Sequence, residues 1–307
     1  MNQSNYLIGL GLLITAPVIW GGMFPVAELI LPSVDGITTT AIRYGLGALM
    51  LLVILAFLEG NNALKLEENT LKLWLYGTIG FAGFNILAFV GLGFSQPEHA
   101  AIIMAMMPMI TVLITWLKSG KRPAGFTLMT VAIAFSGVFL VVTNGNPAKA
   151  LQNGEASGDL MLLTGALCWV IYTLGASQFP SWSALRYTTL SCALGTLSIL
   201  AITLALIPVG ITQIPSINVV SNLGWEFAYL IILGAVIAVL SWNAGIKAVG
   251  PVNGVLFINL VPITAFTVGV LQGHSFTHYE VIGALLVISA LIANNLFIRR
   301  QLSVSKA

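Results

Sequence analysis

Residues 77–117 read GTIGFAGFNILAFVGLGFSQPEHAAIIMAMMPMITVLITWL, two long apolar runs around one polar turn, Ser95 to His99. Residues 231–271 read IILGAVIAVLSWNAGIKAVGPVNGVLFINLVPITAFTVGVL and follow the same plan. Adding 154 carries Gly80, Gly91, Pro97, Pro108 and Leu117 onto Gly234, Gly245, Pro251, Pro262 and Leu271 without a gap. Leucine and glycine pairs alone mean little in an apolar alphabet, but paired prolines in one register mean more. Working outward, adding 149 carries Leu13, Thr15 and Trp20 onto Leu162, Thr164 and Trp169. Adding 148 carries Thr40, Leu46, Gly47, Leu49 and Leu52 onto Thr188, Leu194, Gly195, Leu197 and Leu200. Such self-similarity marks a chain built from two copies of one unit.

The solvent of these units is lipid. The chain has 307 residues, of which 58% are hydrophobic and only 7% charged, with mean hydropathy +0.98. A soluble domain carries about 25% charged residues. A helix crossing a bilayer needs about 20 apolar residues, and ten segments of that kind account for the chain. They are Tyr6–Ile30, Ile37–Leu58, Leu71–Phe94, His99–Leu117 and Phe126–Thr143, then Gly158–Ser177, Leu185–Ile207, Trp225–Lys247, Val252–Leu271 and Tyr279–Ile298. Lipid cannot satisfy open backbone groups, and the runs are too long and too uniformly apolar for barrel strands. The expected fold is an all-α integral membrane protein of ten transmembrane helices in two five-helix repeats. Their bounds are 1–145 and 158–300, with a periplasmic linker at 146–157 and a cytoplasmic tail at 301–307.

An odd number of spans per repeat makes the second copy enter from the opposite side, an inverted-topology plan common among secondary transporters. Basic residues give the orientation. Ten of the twelve Lys and Arg (Lys65, Lys72, Lys118, Lys121, Arg122, Arg186, Lys247, Arg299, Arg300 and Lys306) fall on the side of the two termini. The positive-inside rule makes that side cytoplasmic. The run after Met1–Asn5 lacks a basic flank and is too long for a signal-peptide core, so it is expected to stay as the first membrane helix. Cys168 and Cys192 lie inside apolar runs and read as small buried hydrophobes. They support neither a disulfide framework nor a metal site, and a net charge of +2 is too small to suggest nucleic-acid binding.

Several short motifs in this order resemble the drug/metabolite transporter superfamily, in its ten-helix EamA type. They are Trp20-Gly21-Gly22, Arg43-Tyr44, Pro108, Gly158-Asp159, Trp169 and Asn259-Leu260-Val261-Pro262. Where that family ends helices 4 and 9 with a Leu-Gly-Glu-like signature, this chain has Gly120-Lys121 and Gly273-His274, so a role for those acids is not carried over. The resemblance implies export or exchange of small organic metabolites, often amino acids, across a bacterial inner membrane. It implies a central cavity among helices 3, 4, 8 and 9 with parts of 1, 2, 6 and 7, supported by helices 5 and 10.

Polar groups at membrane depth are expensive and face the protein interior or a wet cavity. Glu28 and Arg43 fall on neighbouring helices joined around Asp35 and form either a structural ion pair or a gate that meets substrate charge. Glu98 and His99 open helix 4, where an acid suits the helix dipole. An ordinary histidine changes charge near neutrality, which makes a coupling proton a candidate partner at His99. His274 and His278 fall in an outer loop and read as solvated. Asn85, Asn243 and Asn259 either bridge helices or bind substrate, with Asn85 and Asn259 favoured for the second role. Trp20, Tyr44, Trp169, Tyr172 and Trp242 lie deep enough to form an aromatic wall, and Met104 adds an adaptable surface. Pro108 and Pro262 either bend packing or act as matched hinges.

The leading expectation is a secondary transporter with no cofactor, acting on a small molecule in the lipid bilayer, as a monomer or homodimer. Nothing indicates ATP hydrolysis, because the phosphate-binding Gly-x-x-x-x-Gly-Lys-Ser/Thr loop is absent. A channel is the nearer alternative, although no filter or charged ring is visible. An intramembrane enzyme is the more distant one, since no His-Glu-x-x-His motif or local Ser/His pair occurs.

Overall fold

The computed structural model describes residues 3–146, 155–249 and 255–304. Pro251 and Lys149, most of the expected 146–157 linker and the end of the 301–307 tail, including Lys306, lie outside the described residues. Helices make up the described fold. In chain order they are α1 (Gln3–Ile30), α2 (Gly36–Glu59), α3 (Thr70–Leu92), α4 (Pro97–Ala105 with Met107–Ser119) and α5 (Gly125–Thr143). Then come α6 (Glu155–Gly175), α7 (Ala184–Leu206), α8 (Gly224–Ile246), α9 (Phe257–Leu271) and α10 (His278–Val304).

Eight of these are long and apolar enough to cross a membrane, and α4 becomes a ninth if its two pieces, bent by 41°, are one span. The protein is a multi-pass membrane protein. The expected count of ten is not reached among the described residues. The ninth segment, Val252–Leu271, appears among the described residues as a 3-10 turn, Val255–Asn259, followed by the 12-residue helix Leu260–Leu271. At about 1.5 Å per residue that helix alone is shorter than about 30 Å of hydrocarbon.

Local chemistry sets the helix ends. Asp35 caps α2, its Oδ1 accepting from the N–H of Ile37 at 3.0 Å and Thr38 at 2.8 Å. Ser183 Oγ accepts from the Arg186 N–H at 2.9 Å to cap α7. The bend in α4 falls at Met106, with Pro108 in the first turn of the second piece. At the equivalent place in α9, between Asn259 and Leu260 and two residues before Pro262, a 3-10 turn gives way to α-helix. A proline has no N–H for the carbonyl four residues earlier, so Pro108 cannot serve Met104 and Pro262 cannot serve Ile258.

Two wide turns also match. A π-helical stretch, Thr78–Gly83, interrupts α3, and another, Tyr229–Ile237, interrupts α8. The 154-residue offset carries 78–83 onto 232–237, inside the second stretch. Such turns are rare and frequently mark functional sites.

Backbones approach closely where glycines face each other. A Cβ at Gly91 of α3 would sit 2.7 Å from the Gly158 carbonyl of α6, and one at Gly245 of α8 would sit 3.1 Å from the Gly9 carbonyl of α1. The offsets of 154 and 149 make these crossings counterparts. At the crossing of α3 and α7, a Cβ on Gly195 would run into the Gly77 carbonyl. Outward faces carry large apolar groups such as Val53 (69% exposed), Phe57 (87%) and Leu204 (62%), as lipid contact requires. α5 packs along α10 at the side of the bundle.

Candidate functional site

A narrow cavity of about 90 Å³ lies within the bundle, smaller than the roughly 300–1,000 Å³ typical of small-molecule sites. α1 gives it Trp20, Met23 and Phe24; α2 gives Arg43, Tyr44 and Leu51; α3 gives Phe81 and Phe84; α4 gives Met104 and Met107. The second half supplies Trp169 (α6), Thr188 (α7), Gly234, Ala235 and Val239 (α8), and Ile258 and Val261 (α9). Neither α5 nor α10 contributes. Four lining pairs obey the sequence offsets: Trp20 with Trp169, Phe81 with Ala235, Met104 with Ile258, and Met107 with Val261. α4 and α9 thus reach the cavity with residues beside the bend of α4 and the 3-10 to α change of α9, and both π-helical stretches reach it through Phe81, Gly234 and Ala235.

The walls are aromatic and interlocked. Trp169 packs on Phe81 (6.0 Å between ring centroids), Phe84 (5.2 Å) and Tyr172 (5.1 Å). The Trp20 indole N–H donates to the Gly234 carbonyl at 3.2 Å, and its ring lies 5.6 Å from that of Trp242. Arg43 is the only charged residue among the described lining residues, and it is 3% exposed. Its Nε donates to the Leu230 carbonyl at 3.2 Å and its Nη1 to Asn85 Oδ1 at 2.9 Å. Its guanidinium also lies 4.9 Å from the Tyr44 ring centroid and 5.6 Å from that of Phe89. The Leu230 carbonyl opens to it within the wide turn of α8. The expected pairing with Glu28 does not occur, because Asn85 and Leu230 hold the guanidinium instead.

Of the residues expected at a substrate, Trp20, Tyr44, Met104 and Trp169 line the cavity together with Arg43. The others stand behind it. Asn85 is fully buried and engaged: it receives Arg43 Nη1 and, at 3.4 Å, the Tyr44 hydroxyl, while its Nδ2 donates to the Phe81 carbonyl at 3.0 Å. Tyr172 is stacked on Tyr187 at 5.2 Å, Trp242 backs Trp20, and Asn259 is buried next to the lining residue Ile258. Phe81, Phe84 and Thr188 were not singled out by the sequence, where they look like ordinary members of apolar runs.

A second polar centre lies outside the cavity wall, where α4, α6 and α10 begin. Glu98 and His99 are not an exposed cap; they are 1% and 2% exposed. His99 Nδ1 lies 3.3 Å from Asp159 and its Nε2 3.6 Å from Glu280, both carboxylates also buried. Ser95 Oγ donates to Asp159 at 2.5 Å, and the Thr277 N–H donates to Glu280 at 2.7 Å. His274, expected in solvent, is 3.3 Å from Glu98. Glu28, partly buried, stands within the electrostatic reach of His274 and Glu98. Asp159 and Glu280 give the sequence no local signal of this centre, because their partner His99 is far away along the chain.

At the opposite end, Arg186 Nη2 bonds Glu67 at 2.7 Å and the Lys65 carbonyl at 2.8 Å, over the Trp182 ring at 4.1 Å. Hydrogen bonds from Arg186 and from the Trp182 indole hold the Glu67 carboxyl below its ordinary range.

The EamA-like transporter family matches the chain twice, over residues 7–143 and 156–296. The chain belongs to that family. Among EamA relatives, the uncharacterized transporter YrdR of Bacillus subtilis is 37% identical over 305 residues, covering 98% of this chain and 95% of YrdR. The threonine/homoserine exporter RhtA of Salmonella typhimurium is 24% identical over 283 residues, covering 90% of this chain and 87% of RhtA. One crystal structure shares the EamA-like fold at a TM-score of 0.66 and 21% identity, covering 98% of this chain and 99% of that one. Family and relatives are transporters by name, not enzymes.

Proposed function

We propose that this EamA transporter is a secondary carrier of small organic metabolites in a bacterial inner membrane, working by alternating access around the aromatic cavity. The observation that carries the reading is the lining itself, to which matched positions of both halves contribute. Ten spans in two inverted repeats, 1–145 and 158–300, with both termini cytoplasmic, account for this pairing. In that plan each half can take the arrangement the other now has, so two states of similar energy exist. The halves differ in a way that fits this: the Trp20 indole binds the Gly234 carbonyl, whereas Trp169 makes no matching bond to Gly80 among the described residues. Pro108, beside the bend of α4, and Pro262, beside the 3-10 to α change of α9, act as hinges.

Trp20, Tyr44, Met104 and Trp169 contact substrate directly; Tyr172, Trp242 and Asn259 support that wall, and Asn85 fixes Arg43. Glu98 and His99, with Glu28 near them, form the coupling or gating centre, whose bonds across α4, α6 and α10 must break for that end to open. The substrate class is broad, small organic metabolites that carry a carboxylate, amino acids or related compounds among them; RhtA is named for threonine and homoserine. Reconstitution in liposomes tests the carrier reading. Saturable uptake with counterflow is expected, while non-saturating conductance would refute a carrier in favour of a channel.

A further inference from the structure

We infer that the cavity selects organic monoanions, a carboxylate on an apolar or aromatic body, over zwitterions and amines of the same shape. This deepens the carrier reading and rests on it. Arginine stays protonated in proteins, so Arg43 brings a full positive charge into an apolar enclosure. Among the described residues it makes no ion pair, and the described lining contains no carboxylate. Two of its nitrogens are engaged by neutral acceptors, Leu230 and Asn85. Its Nη2 lies 3.5 Å from where a Cβ on Gly234 would stand, and Gly234 lines the cavity. A glycine there keeps the approach to that nitrogen open.

The remaining polar groups favour an acceptor ligand. No hydrogen bond from the Trp169 indole N–H is made among the described residues. The second pieces of α4 and α9 start at Met107 and Leu260, beside lining residues. The N-terminal end of a helix carries partial positive charge. An uncompensated buried cation costs free energy, which a ligand carboxylate recovers by a charge-assisted bond to Nη2. A ligand ammonium meets the opposite situation. The carbonyls of Met104 and Ile258 can accept a hydrogen bond, but they carry no net charge to offset a second cation beside Arg43. Phe81, Phe84, Trp20 and Trp169 then accommodate the apolar body.

The test uses the full-length protein, purified and reconstituted, with three compounds that share one phenethyl body: 3-phenylpropanoate, L-phenylalanine and phenethylamine. Thermal stabilisation in detergent and counterflow in liposomes are read for each. The expected order is 3-phenylpropanoate first, at least about tenfold tighter than phenylalanine, a factor equal to about 1.4 kcal/mol, with phenethylamine last. Arg43→Gln is expected to erase the preference for the acid. Because Arg43 also anchors Asn85 and Leu230, Thr188→Asp provides a second variant that adds an acid to the wall and is expected to shift preference toward the amine. The wild-type order needs neither variant. Phenylalanine or phenethylamine binding as well as the acid overturns the inference, as does a folded Arg43→Gln that keeps the acid preference. If none of the three is exchanged while another solute shows saturable counterflow, the substrate class fails and the carrier reading stands. If no solute shows it, both fail.

Discussion

Replacing His99 with alanine tests the buried charge centre. His99 lies 3.3 Å from Asp159 and 3.6 Å from Glu280, and all three are nearly inaccessible. Removing one partner of a buried ion pair costs roughly 3–5 kcal/mol, because the other charge is stranded. Both carboxylates keep some support: Asp159 has the Ser95 hydroxyl, and Glu280 has the N–H and hydroxyl of Thr277. The loss therefore belongs at the low end, about 3 kcal/mol. Equilibrium unfolding in mixed micelles, followed by circular dichroism, measures it. Adding Asp159→Asn and Glu280→Gln to the His99→Ala background removes the stranded charges and is expected to restore about half of the loss or more, since a neutralised site is far less costly than a stranded charge. A loss below about 1 kcal/mol, the scale of an exposed pair, refutes the reasoning. So does a triple variant no more stable than His99→Ala alone.

Gly195→Ala drives a methyl into the Gly77 carbonyl and is expected to lower stability by about 1–3 kcal/mol. Gly11→Ala meets nothing within 4 Å and should raise it by about 0.4–1 kcal/mol; paired melting curves in one detergent compare the two. Asp35→Ala removes the cap from the Ile37 and Thr38 N–H groups and should cost about 1 kcal/mol, with faster amide exchange confined to the first turn of α2. The lowered Glu67 carboxyl contributes stability above the ordinary carboxylate range and loses it as pH falls through its depressed value. In Arg186→Gln that loss should move to higher pH, read as earlier exchange protection loss across residues 65–68.

The segment plan was legible because lipid demands long apolar runs, and the repeat because prolines and tryptophans are scarce enough for matched positions to stand out. Trp20 and Trp169 could be found in this way. The azimuth of each helix could not. A helix apolar on every side has almost no amphipathic stripe to show which face turns inward, so Phe81 and Phe84 looked like packing and Tyr172 and Trp242 looked like cavity wall. Asn85 was expected either to bridge helices or, as favoured, to bind substrate, and only three-dimensional packing shows it engaged by Arg43. The His99 centre was hidden for a related reason: three helix starts from distant parts of the chain bury one another, so each residue taken alone resembled an exposed cap.

Arg43 has no twin. The offset of 148 carries it onto Ser191, a buried residue whose hydroxyl bonds the backbone of Tyr187. The family match falls on both halves of the chain, and two identical halves would show every residue twice, bringing two guanidinium groups to the cavity or none. The single charge is therefore a departure from the likeness of the halves, and restoring that likeness by Ser191→Arg would place a second buried cation in the bundle with no counter-charge to offset it.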